Sequence, residues 1–396
     1  MNEQTVVDQV RPLFKKSLEA SDDRIYLANH SLGRPPDAVG DSLNEFYKTW
    51  QSKLDESWDG SHWMGEVSAY RRLIAALTDA PNPGNVIPKT SAGQGLRAIL
   101  NASPNPMRVV STTGEFDSID FILRSYERSG RISLCTVEPT LHTTGIPLFQ
   151  ESDIIAAIDQ ETDLVVVSMV FFTTGQVLKG LPEIVRKAKD CGAKVVVDGY
   201  HAVGVLPVSF NDLGCDFMIG GCYKYLRGGP GACYLIVADE WLDTDTFRTL
   251  DTGWFAKLDP FSYHRPVSLP RADGGDSWME STPPIATFYQ ANPGLRFTAS
   301  LDISGLRNFV QNRQSHLVEA LSAAGLEPVV PADPDSFGAF VVVPHAVADL
   351  LTTRLAKEKV TVDSRGGLVR FGPDLLTTKA DIQETGRRCA SILAGL

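Results

Sequence analysis

Between about residue 85 and residue 240 the chain alternates short β-branched runs with helix-like segments, and this alternation restricts the fold more than any other feature. The runs are MRVVST (107–112), RISLCTV (131–137), DLVVVSMVFF (163–172), AKVVVD (193–198), DFMIGG (216–221) and ACYLIVA (232–238). Each is almost continuously apolar, as a strand buried on both faces must be. Segments such as EFDSIDFILRSYERSG and LPEIVRKAKDCG lie between them, the second closed by Gly192 just past a helix end. Strand, helix and parallel strand in repetition predict an α/β domain with a mainly parallel central sheet and flanking helices.

The texture changes after Trp254. DPFSYHRPVSLPRADGGDSWMESTPP is rich in Pro and Gly and reads as an extended loop, with residues 272–280 as a solvated acidic stretch. A helix follows in LDISGLRNFVQNRQSHLVEALSAAG, then strand-like GAFVVVP and KVTVDSRGGLVRFG on either side of the helix-like HAVADLLTTRLAKEK. This predicts a smaller α+β unit over 286–396 and a large domain over 41–285. Residues 1–40, a helix and the turn-rich YLANHSLGRPP, cannot stand alone and are expected to pack with the small domain. The 37 Lys and Arg against 48 Asp and Glu leave a net charge of −11, which disfavours a nucleic-acid or anionic membrane surface. The six cysteines are scattered without metal spacing and read as reduced residues of a cytoplasmic protein. No apolar run approaches the ~18 residues of a membrane span. A small-molecule enzyme without a metal is the expectation.

The chemistry concentrates in VVVDGYHAVGVLPVSFNDLGCDFMIGGCYKYLRGGPGACYLIV, residues 195–237. Asp198 ends one buried run, and Lys224 follows the next one 26 positions on, within a Gly-rich turn that admits close approach to a ligand. Ligands bind at the carboxyl ends of strands in open α/β sheets, so both side chains are expected in one crevice. A lysine that forms a Schiff base and a carboxylate that keeps a pyridine nitrogen protonated are what pyridoxal phosphate needs. The plainer alternative is a helix-capping Asp and a surface Lys.

These segments resemble the class V branch of the fold type I pyridoxal phosphate enzymes, and kynureninases most of all. The markers are YLANHSLGRPP, DGYHAVGVLPV, GCYKYLRGGPG, TGWF, STPPI and the late RFG, in that order. The resemblance implies pyridoxal 5′-phosphate as cofactor, an amino-acid substrate, and a homodimer with the active site at the subunit interface. It makes Lys224 the Schiff-base lysine, Asp198 the partner of the pyridinium nitrogen, His201 a neighbour of the ring and Tyr223 a phosphate ligand and proton relay. It assigns Thr90, Ser91 and Ala92 of KTSAGQGLRAIL to the phosphate, with Trp254 and, from the neighbouring subunit, Thr282. Phe116 matches the aromatic residue that stacks on the ring. Arg370 is implied as the clamp for the substrate α-carboxylate, with Arg365 as second candidate.

The sequence also departs from the pattern. Where kynureninases carry an Asn-Tyr-Arg type segment, this chain has Val170, Phe171, Phe172 and Thr173, which predicts an apolar wall in place of polar groups. Asn29 and His30 stand where a Gly-Asn pair precedes the turn at Ser31, so Asn29, His30, Ser31, Phe171 and Phe172 are expected to shape the substrate pocket. Three readings follow: a kynureninase-like hydrolase, a class V aminotransferase or β-eliminating lyase, and a non-catalytic protein of the same fold.

Overall fold

The computed structural model describes residues 3–103, 105–142 and 145–395. Seven strands form the main sheet: β1 Val86–Lys89, β2 Met107–Thr112, β3 Ile132–Val137, β4 Leu164–Ser168, β5 Lys194–Asp198, β6 Phe217–Gly221 and β7 Cys233–Val237. Their order is β1-β7-β6-β5-β4-β2-β3; β2 through β6 run parallel, and β7 is antiparallel to both its neighbours. All six expected runs form strands, and β1 is a seventh that periodicity did not single out. The run at 163–172 stops at Ser168, because Phe171 leaves the ladder to bond Gln176 across a turn.

Both faces of the sheet are covered, and the side chains sort by strand parity. Val165, Val167, Val195 and Val197 join one core; Leu164, Val166, Val196 and Ile219 join the other. Period-two alternation sends neighbouring residues to opposite faces, so continuous apolar runs are what two buried faces demand. The loop before residue 280 is less solvated than its composition suggests. Trp278 is buried in the second core, and Lys89 Nζ donates to its carbonyl (3.1 Å) and to Glu280 Oε1 (2.8 Å).

The small unit holds a three-stranded sheet, β8 Val341–Pro344, β9 Asp363–Arg365 and β10 Leu368–Phe371, in the order β8-β10-β9. Helices Ile303–Ala323, Ala348–Lys357 and Lys379–Leu393 accompany it. KVTVDSRGGLVRFG is thus several short elements, broken by the turn at Gly366 and Gly367. In the N-terminal segment, Ile25 and Tyr26 pair in parallel with Val360 and Thr361, and Ala28 bridges Gly372. The helix Ile285–Ala299 departs from the expected boundary at 286. Its Ile285, Phe288, Ala291 and Leu295 are buried in the first core together with Val67, Tyr70 and Ile74 of the helix Trp63–Thr78, so by packing the large domain runs on to about residue 300.

One contact ties the N-terminal turn to the crevice. Gly33 N–H donates to the Tyr223 carbonyl (2.8 Å), and a Cβ on Gly33 would lie 2.0 Å from the Lys224 carbonyl oxygen. The backbone cannot yield there without moving the lysine. Gly33→Ala is expected to cost about 2 kcal/mol, typical of overpacking. Thermal unfolding checks this, and an unchanged melting temperature would contradict it.

Candidate active site

The carboxyl ends of β2, β4, β5 and β6, with the start of β7, surround a cavity of about 400 Å³. Asp198 is the last residue of β5, in register with Ser168 of β4 and Ile219 of β6. Lys224 stands three residues beyond β6, nearly all of its surface buried. Nine of the seventeen residues singled out from the sequence line this cavity: Thr90, Ser91, Ala92, Phe116, Phe172, Asp198, His201, Tyr223 and Lys224.

The amine and the acid are both held in poor solvent. Burial lowers the Lys224 pKa and raises that of Asp198, while their mutual attraction opposes both shifts. The Tyr200 N–H donates to Asp198 Oδ1 (2.8 Å), and Lys224 Nζ lies 2.5 Å from His201 Nε2. His201 is itself pushed well below its ordinary pKa by burial and by Lys224, so the ring is neutral. With Nε2 accepting from the lysine, the ring proton sits on Nδ1, which is buried and lacks a protein partner. The other buried lysine of the sheet, Lys89, is neutralised by Glu280. Lys224 thus carries the less encumbered amine.

Thr90, Ser91 and Ala92 lead into the helix Ala92–Leu100 at the edge of the cavity. Thr90 N–H is taken by Gln94 Oε1 (2.7 Å), and Ser91 Oγ caps Gln94 N–H (3.0 Å). The first-turn N–H groups of Ala92 and Gly93, which a helix leaves without intrahelical acceptors, border the cavity. Phe116 meets Phe172 edge-on (5.3 Å, 82°) at the rim.

Eight residues lie elsewhere. Phe171 turns into the core and stacks on Phe149 at 4.3 Å, so the expected double wall is reduced to Phe172 with Val170. Asn29, His30 and Ser31 are structural ties rather than cavity residues: Asn29 Nδ2 donates to the Gly372 carbonyl (2.9 Å), while His30 Nε2 (2.8 Å) and Ser31 Oγ (2.6 Å) bond Asp363. Arg370 is buried one residue behind the wall. Its Nε (2.7 Å) and Nη2 (2.5 Å) hold Asp363, and Nη1 donates to the Phe172 carbonyl. Arg365 is exposed at the β9–β10 turn. Trp254 Nε1 donates to Thr282 Oγ1 (3.3 Å), and neither borders this cavity.

Sequence reasoning passed over Ser168, Tyr200 and Gly93 in the lining and Glu115 beneath it. Ser168 could have been found from its place at a strand's carboxyl end. Glu115 could not, since its partners come together only in three dimensions: Thr112 Oγ1 (2.7 Å), Ser168 N–H (3.2 Å) and Ser168 Oγ (2.6 Å) all donate to it. Burial, aided by Asp198, pushes its carboxyl up to about 7 against these donors.

The pattern of the class V aminotransferases (Aminotransferase class-V) matches residues 25–369. A kynureninase of Pseudomonas fluorescens is 26% identical over 395 residues, covering 98% of this chain and 93% of that protein. A kynureninase of Salinispora tropica is 29% identical over 245 residues, 60% of this chain and 56% of its own length. Among solved structures, the apo cysteine desulfurase of Thermococcus onnurineus superimposes with a TM-score of 0.84 at 17% identity, covering 98% of each chain. A lysine-to-alanine mutant of C-DES, with glycine covalently linked to its pyridoxal phosphate, gives 0.83 at 16% identity, over 96% of this chain and 98% of that one. These two likenesses establish the shared fold.

Glu115 provides a test by pH. Its folded pKa of about 7 exceeds the unfolded 4.5, so its contribution is full below pH 4.5 and is lost as pH rises through 7. Relative to Glu115→Gln, the wild type is expected to lose on the order of 3 kcal/mol over that interval. Melting curves of both proteins at pH 5 and pH 8 read this directly; a constant difference between them would contradict it.

Proposed function

Because the chain belongs to the class V aminotransferase family, we propose that it is a kynureninase-like hydrolase, cleaving the Cβ–Cγ bond of an acyl-alanine to give alanine and an acid. It is a pyridoxal 5′-phosphate-dependent enzyme. The observation that carries the reading is the meeting of Lys224, Asp198 and His201 in one cavity of a chain resembling kynureninases along almost its whole length. The cavity's donor set fits the cofactor. N–H groups at a helix start suit the phosphate, Asp198 suits a protonated ring nitrogen, Phe116 offers a flat apolar surface, and Lys224 supplies the amine.

When bound, the cofactor supplies an electron-withdrawing ring that stabilises negative charge developing at the substrate Cα. The protein's part is to place groups around it. Burial favours the neutral amine of Lys224, the form able to take the α-proton at Nζ. Asp198 would hold the protonated ring nitrogen by a charge-assisted hydrogen bond away from water, where such a bond is strong. Neutral His201 adds no competing positive charge, and Tyr223 offers a hydroxyl that can hold the phosphate and pass a proton. Arg370 spends three of its five N–H groups on Asp363 and Phe172, leaving two, as many as a substrate carboxylate needs. Water adds to the γ-carbonyl; the Cβ–Cγ bond then breaks with its electron pair going to Cβ, the acid leaves, and protonation at Cβ and Cα gives alanine. Phe172 and Val170 set an apolar side to the pocket and disfavour substrates that need a hydrogen bond there.

The proposal extends to a homodimer. Trp254 and Thr282 bond each other outside their own chain's cavity, on a loop that also exposes Leu250, Leu258, Tyr263, Val267 and Leu269. As a pair they serve the phosphate of a second copy, whose approach covers that apolar loop. Six unpaired cysteines, five of them buried, suit a reducing compartment, and the reading places the protein in the cytoplasm.

Incubation with L-kynurenine or 3-hydroxykynurenine is expected to release alanine, and Lys224→Ala to reduce that release by roughly a thousandfold or more. Keto-acid formation without alanine would replace hydrolysis by transamination or β-elimination. Phe172→Asn is expected to alter substrate preference, whereas Phe171→Ala costs about 3–5 kcal/mol of stability as a core truncation. Steady-state assays and thermal unfolding of the two variants separate these effects.

A further inference from the structure

The two glycines that end β6 have an unusual reason to be there. Neither Gly220 nor Gly221 has a positive φ, so backbone freedom does not account for them. Space does: a Cβ on Gly220 would lie 2.3 Å from Tyr234 Oη, and one on Gly221 would lie 2.2 Å from Tyr200 Cζ and Oη. Adjacent residues of a strand face opposite sides, so one glycine admits a tyrosine on each face of the sheet. Tyr234 belongs to the first core. Tyr200 lies on the cavity side, across the carboxyl end of β6 and the start of β7, with its Oη 3.8 Å from Cys233 Sγ.

Tyr200 also flanks the reactive amine. Lys224 Nζ is 4.7 Å from the centre of the Tyr200 ring, 5.5 Å from that of Phe116 and 5.7 Å from that of Tyr223, and all three rings line the cavity. Among the described residues, Phe116 makes its ring contact with Phe172, and Tyr200 with Tyr223 (5.1 Å). Phe116 and Tyr200 are therefore two separate aromatic walls beside one lysine. We propose that Tyr200 is a cofactor-positioning residue whose ring forms the second aromatic wall of the slot for the pyridine ring, and that Gly221 is glycine so that Tyr200 can lie there. The inference rests on the reading that Lys224 carries the cofactor. It assigns to the residue two places after Asp198 a contact role that neither its position in the chain nor its polarity announces.

Equilibrium dialysis of the full-length protein against pyridoxal 5′-phosphate tests it, with Kd as readout and circular dichroism as control for folding. Tyr200→Phe keeps the ring and is expected to bind within about threefold of wild type. Tyr200→Leu keeps bulk without the ring and should weaken binding by about five- to tenfold, the range of an aromatic contact. Gly221→Ala drives the Tyr200 ring out of its seat and should weaken binding at least as much as Tyr200→Leu. The double variant Gly221→Ala, Tyr200→Leu should be no worse than Tyr200→Leu alone, because the clash has lost its partner. Wild-type affinity in Tyr200→Leu would overturn the proposal, as would equal losses in Tyr200→Phe and Tyr200→Leu. Should Gly221→Ala fail to fold, the Phe and Leu variants still decide. A wild type that binds no pyridoxal phosphate would instead overturn the cofactor site itself, which separates the two failures.

Discussion

The burial of an amine beside a carboxyl at the ends of adjacent strands is the constraint on which the rest of this structure depends. Taking Lys224 and Asp198 out of water disfavours the charged form of each, and their attraction only partly offsets that cost. The scaffold must hold them against this penalty. It does so with a seven-stranded sheet buried on both faces, whose valine-rich strands fix the ends of β4, β5 and β6 relative to one another. A fold stabilised by two apolar cores can keep a poorly solvated polar centre at its edge. Reactivity follows from that placement, since a buried lysine with a neutral histidine for a partner is closer to a nucleophile than one held by a carboxylate.

The rest of the chain is arranged around the same edge. The N-terminal turn packs Gly33 on the backbone of Lys224 and sends Asn29, His30 and Ser31 to the small unit, where Asp363 and Gly372 receive them. Asp363 accepts from His30, Ser31 and Arg370 together, so one carboxylate joins the first 33 residues to the guanidinium behind the cavity wall. His30 is neutral in this setting, its pKa lowered to about 4 by burial, so it ties the segment down without adding charge. The acidic net charge of the chain does not conflict with a site for a phosphate and a carboxylate. The positive character that the proposed site needs would be local, from a helix N-terminus and the Arg370 guanidinium.

Much of this was legible in the sequence, for physical reasons. Strands buried on both faces leave continuous apolar runs, so β2 to β7 could be read directly. Asp198 and Lys224 could be found because strand ends are where such a sheet binds ligands. What could not be read depended on contacts between distant segments. Phe171 and Phe172 are chemically identical neighbours, and only the turn after β4 decides that one packs on Phe149 and the other faces the cavity. Thr90 is a sensible phosphate donor until Gln94 reaches back to occupy it. The helix Ile285–Ala299 follows a loop that resembles a domain linker, yet its apolar face belongs to the first core. The glycines of GGCYKYLRGGPG suggested room for a ligand, whereas Gly220 and Gly221 make room for tyrosines.

Borohydride reduction of the protein loaded with pyridoxal 5′-phosphate, followed by peptide mass mapping, tests the central claim most directly. A single pyridoxyl group on the peptide that contains Lys224 is the expected result, since the other buried lysine of the sheet, Lys89, is paired with Glu280. A group found on Lys89 or spread over surface lysines, with Lys224 unmodified, would contradict the assignment of this cavity as the catalytic centre.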